Sequence, residues 1–89
     1  MTNKVEKFKQ ITEGMNNLYA KKNSDYGDSF GISIKKYGVI AGLTRISDKF
    51  NRLENLILTK DQKVNDESIN DTLLDLANYA IMLHMELSE

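Results

Sequence analysis

Cysteine is absent from the 89-residue chain, and so is proline. Without cysteine, disulfides and thiolate metal sites are excluded. The single histidine, His84, excludes His-rich zinc sites as well. A metal here would rest on carboxylates, which means a hard ion such as Mg²⁺. The lack of proline removes the residue that most strongly breaks helices. An excess of one charge is also missing. Twelve basic and thirteen acidic side chains leave a net charge of −1, so the whole-molecule field favours neither a nucleic-acid polymer nor a membrane surface. No apolar run approaches the length of a membrane span, and MTNKVEKFKQ carries no apolar signal-peptide core. A cytoplasmic protein with no membrane partner is expected.

What remains is short and rich in helix formers. The length allows one domain, residues 1–89, whose single core is only modestly stabilising. Small chains often add a disulfide, a metal or a partner subunit to such a core. With thiols absent, a homo-oligomer is the expected way to add buried surface.

Apolar residues recur at steps of three and four along three stretches. Val5, Phe8, Ile11, Met15, Leu18 and Tyr19 mark a first helix from about Asn3 to Lys21, with Asn3 and Glu6 fitting its cap. A turn is expected over KNSDYG, where Asn23, Ser24, Asp25 and Gly27 gather. A short helix over Ser29 to Tyr37 should stop at Gly38. Val39, Leu43, Ile46, Phe50, Leu53 and Ile57 define a third helix, to about Thr59, before the polar connection KDQKVND. The last helix should start near Asp66 or Ser68 and run to Leu87. Its main stripe is Ile69, Leu73, Leu76, Ala80, Leu83 and Leu87, and Leu74, Ile81 and Met85 form a second strip well round from it. That second strip reads either as a subunit interface or as a face flanked by the other helices of one bundle. No stretch alternates with the period of a strand. The expected fold is all-α: a compact bundle of three long helices and one short helix, in an oligomer.

Three clusters carry polar chemistry. In RISDKFNR, residues Arg45, Asp48, Lys49 and Arg52 share the face opposite Ile46 and Phe50. That face is either solvated and laced with pairs such as Asp48–Arg52, or a group of cations that grips phosphate oxygens. On the last helix Glu67, Asp71, Asp75 and Tyr79 follow at four-residue steps. Two of those acids could share a Mg²⁺ with water and phosphate oxygens. The plainer readings are that Ser68 and Asp71 form a capping box and that Asp75 pairs with Arg45, Lys49 or Arg52. In KKNSDYGDSFG, Gly27 and Gly31 permit close backbone approach, and Tyr26, Phe30 and Tyr37 offer faces on which a base could stack. GDSFG matches no P-loop or dinucleotide fingerprint. No Ser/His/Asp or Cys/His nucleophile set can be assembled, and His84 is given no role.

KNSDYGDSF, LTRISDKFNRL and ESINDTLLDLANYAIM, in that order, resemble the nucleotide-modification-associated domain family of small all-helical proteins frequent in phages. The resemblance covers about Lys22 to Met82. It implies a link to nucleotides, a phage or prophage origin, and a site at the positions matching the family's motifs: Lys22, Asp25, Tyr26, Gly27, Arg45, Asp48, Lys49, Arg52, Glu67, Asp71, Asp75 and Tyr79. The chain is also similar to MazG-like nucleoside triphosphate pyrophosphohydrolases, which hold Mg²⁺ with E-x-x-E and E-x-x-D pairs. It departs from that pattern, since Glu6 and Glu13 lie too far apart and the later acids run E-x-x-x-D-x-x-x-D.

Two functions follow as expectations. In the first, an oligomer clamps a phosphorylated nucleotide with Arg45, Lys49 and Arg52, and Lys22 belongs to the same site. Tyr26 or Tyr79 stacks on the base, and Asp25 and Gly27 complete the site. Such a protein would sequester a nucleotide, an immune signal included, with no catalytic metal. In the alternative, a MazG-like enzyme hydrolyses a nucleoside triphosphate with Mg²⁺ held by Asp48, Glu67, Asp71 and Asp75.

Overall fold

The computed structural model of the chain describes residues 3–59 and 66–88. Four helices follow one another: α1, Lys4–Tyr26; α2, Ser29–Tyr37; α3, Val39–Leu58; and α4, Asp66–Leu87. No strand occurs among the described residues, so the class is all-α, with three long helices and one short one. None of these helices is long and apolar enough to cross a membrane. Residues 60–65, which hold most of the polar connection, lie outside the described part.

The start of α1 follows its cap. The Asn3 side chain accepts from the backbone N–H of Val5 at 3.0 Å and of Glu6 at 3.2 Å. Its end corrects the sequence reading. The helix does not stop near Lys21 but continues through Asn23, Ser24 and Asp25 to Tyr26. Each of those polar residues costs a helix only a few tenths of a kcal/mol, too little to end one that is already propagating. The stop is set by Gly27, at φ 71° and ψ −166°, a region open to almost nothing but glycine. Its N–H still reaches the Asn23 carbonyl at 2.9 Å.

The expected bounds of α2 hold, and its ends are tight. Asp28 caps it by accepting from the Gly31 N–H at 3.2 Å. Gly38 both ends α2 and begins α3, at φ 81° and ψ −173°. This is not the ordinary left-handed stop expected for a helix-ending glycine. It turns the chain so sharply that α2 folds back across the α3–α4 pair.

The three later helices pack together, with α3 and α4 in the longest contact. Gly42 is buried where they meet; a methyl group there would lie 2.6 Å from Leu83 Cδ1 and 3.2 Å from Ile34 Cδ1. At the other end of the pair, Thr72 is 2% exposed. Its Oγ1 donates to the Ser68 carbonyl at 2.8 Å and accepts from Arg52 Nε at 3.3 Å, tying α3 to α4. Because α4 begins at Asp66, Ser68 lies inside the helix and not at the cap position that a capping box with Asp71 requires. Thr72→Val keeps the shape and removes the hydroxyl, and is expected to cost about 1–2 kcal/mol in urea unfolding. An unchanged midpoint would show that the Arg52 tie carries no stability.

Burial is slight throughout. No hydrophobic side chain among the described residues is fully buried. Ile46, Leu53, Leu76 and Leu83 are half-buried between α3 and α4. Leu74, Ile81 and Met85, the second strip of α4, remain 41–49% exposed. Helix α1 makes only marginal contact with the other three.

Candidate functional site

The fold-back of α2 creates two adjoining pockets. The first, of about 450 Å³, lies between α2, α3 and α4 and is lined by Ser29, Phe30, Ser33, Ile34, Tyr37, Ala41, Thr44, Arg45, Asp48, Tyr79 and Met82. The second, of about 360 Å³, is bounded by the end of α1, the start of α2 and the outer faces of α3 and α4. Its polar lining includes Tyr19, Lys22, Asn23, Tyr26, Lys49, Asp75 and Asn78. Both volumes lie in the range typical of small-molecule sites.

A pair of aromatic rings separates them. Phe30 from α2 meets Tyr79 from α4 with centroids 5.9 Å apart and planes tilted by 36°, a geometry favoured by ring quadrupoles. Both residues line both pockets. Tyr37 adds a ring to the first pocket, and Tyr19 and Tyr26 add theirs to the second. Every one of the chain's four tyrosines is therefore placed here. Tyrosine combines a flat apolar face with a hydrogen-bonding tip.

Each pocket also holds a cation. Arg45 lines the first, is exposed, and makes no ion pair among the described residues. Lys49 lines the second, where its Nζ lies 3.2 Å from Asp75 Oδ2. That contact realises the ion pair considered for Asp75. The side chains are 29% and 51% exposed, so the pair is worth little to stability. Lys22 stands beside it on α1.

Of the residues singled out from sequence, Lys22, Tyr26, Gly27, Lys49 and Tyr79 thus meet at the second pocket, with Arg45 and Tyr79 at the first. Arg52 lines neither; its guanidinium is turned to Thr72. Asp25 and Asp71 also line neither pocket. The proposed intrahelical pair of Asp48 with Arg52 does not form. The acids do not gather either. Asp48 is in the first pocket, Asp75 in the second, and the Glu67 side chain lies outside the described residues. Among the described residues no three acidic or histidine side chains are grouped to hold a metal. Phe30 was read from sequence only as a stacking face, and Ser33, Thr44, Asn78 and Met82 were not singled out at all. They carry no signal of their own, because only the crossing of α2 over the α3–α4 pair brings them to the site.

The family model for nucleotide modification associated domain 1 matches residues 22–87. The chain belongs to this family. The matched span includes every residue lining the first pocket and all but Tyr19 of the second. No curated protein and no solved structure matches the chain. What distinguishes this member of the nucleotide-modification-associated family is therefore read from its own pockets.

Proposed function

We propose that this protein binds a phosphorylated nucleotide in the paired pockets and holds it unchanged, as a homo-oligomer. The observation that carries the reading is the placement of Arg45 and Lys49 on either side of the Phe30–Tyr79 ring pair. A base stacks on tyrosine with a gain of about 1–3 kcal/mol. The fork of Arg45 matches phosphoryl oxygens in two parallel hydrogen bonds. Lys49 adds a point charge once its ammonium turns from Asp75 toward the ligand. Ser29, Ser33 and Thr44 supply hydroxyls along the first pocket. Membership of a nucleotide-linked family agrees with this chemistry.

Binding of this kind needs no reacting group. It suits a phage-encoded protein that removes a nucleotide, an immune signal included, from the cytoplasm of the infected cell by stoichiometric capture. The test is to incubate the protein with a panel of nucleotides and Mg²⁺, then analyse the small molecules before and after denaturation. Intact nucleotide, depleted from solution and recovered from the denatured protein, is expected. A nucleoside monophosphate appearing with pyrophosphate would replace capture with hydrolysis.

A further inference from the structure

The chain is too open to be complete by itself. Its accessible surface is 7274 Å², whereas a folded monomer of 10.2 kDa should expose only about 5300 Å². The radius of gyration is 15.0 Å, against about 12 Å for a compact domain of this length. The excess of roughly 2000 Å² per chain is of the size that a permanent homodimer covers on each partner.

Part of the exposed apolar surface is ordered in two strips, on α1 and α3. On α1, Val5, Phe8, Ile11 and Leu18 are 80%, 71%, 46% and 48% exposed. Phe8 with Met15, and Ile11 with Leu18, stand seven residues apart, which aligns them along one seam. On α3, Leu43, Phe50 and Ile57 repeat at the same interval, each slightly more than half exposed. Seams of this period are the ones that interlock with another helix. Neither strip is covered within the chain, because α1 barely touches the other helices.

We infer that a second copy of this chain covers both strips in a two-fold dimer, and that the dimer fixes α1 and thereby completes the second pocket. A chain whose described residues include no fully buried hydrophobic side chain must gain its core from something present whenever it folds, and its own copy meets that condition. A net charge of −1 sets up almost no repulsion between copies. The link to the ligand site is direct. Tyr19, Lys22, Asn23 and Tyr26 reach the second pocket from α1, and α1 joins α2 only through Gly27 and Asp28. Without a partner on its seam, only marginal contacts among the described residues hold α1 at that distance from Lys49 and Asn78. The pocket's role as a nucleotide site rests on the function proposed above; the dimer does not.

Light scattering or sedimentation of the full chain without ligand tests the inference. A mass of twice 10.2 kDa is expected, with a thermal midpoint that rises with protein concentration, because folding is linked to association. Ile11→Asp and Phe50→Asp, which bury a carboxylate in the seam, should each raise the dimer dissociation constant on the order of a hundredfold or more. Gln10→Asp, on the opposite side of α1, should leave it unchanged. A 10.2 kDa monomer with a concentration-independent midpoint would overturn the inference, and that wild-type result does not depend on any variant folding. Since mass is read without nucleotide, a dimer that binds none of the panel would sink only the assignment of the pockets.

Discussion

Arg45→Ala is expected to weaken nucleotide binding by about 10- to 100-fold, the loss of one charge-assisted contact worth about 1.5–3 kcal/mol. Its melting temperature should stay near that of the wild type, because the side chain is exposed and pairs with no acid among the described residues. Arg52→Ala makes the opposite split. Its guanidinium is committed to Thr72 and faces neither pocket, so binding should hold while the protein melts earlier. Titration calorimetry and thermal melts on the same preparations separate the two. If Arg52→Ala lost the ligand and Arg45→Ala kept it, the phosphate site would lie at the far end of α3.

Gly38→Ala should lower stability by about 1–3 kcal/mol, the usual cost of a side chain in this part of backbone space. For a domain of this size each kcal/mol moves the melting point roughly 4–8 °C. The cost is conformational and not steric, since a methyl group there meets nothing within 4 Å. A D-alanine at the same position supplies a control. Its mirrored angles correspond to ordinary extended backbone for an L-residue, so it should restore the melting point. Because Gly38 sets the fold-back of α2, the L-alanine variant should also bind nucleotide less tightly. An unchanged melt for Gly38→Ala would mean that the junction adopts another conformation in solution.

The helices were legible in the sequence because their signals are local. Val39 through Ile57 repeats its apolar residues cleanly, and α2 sits between an aspartate cap and a glycine stop. The end of α1 is not legible in the same way, because Asn23, Ser24 and Asp25 favour turns while no true breaker stands before Gly27. Only Gly27 can take the backbone through the angles found there. The site was half legible. Arg45 and Arg52 are seven residues apart and so share a face of α3, which made them look like one group. Seven residues also separate them by about 10 Å along the axis. The nine-residue α2 shares a pocket with the first, and the second falls beside Thr72 of α4. Which helix crosses which, and where the crossing ends, is a long-range property that no short motif records.

Lys49 and Asp75 place opposite charges 3.2 Å apart at the second pocket. Beyond one Debye length, about 8 Å at physiological ionic strength, that entrance looks electrically silent, and the rest of the surface adds no attraction. DNA and RNA hold proteins through many phosphate contacts at once and the counterions those contacts release. Here the twelve cations are spread among thirteen acids, and Lys49 is already paired with Asp75. A short anion that enters can take the carboxylate's place on the lysine, an exchange that frees few ions and so varies little with salt. The proposed preference for a small ligand over a polymer would thus begin with a positive charge already paired within the molecule.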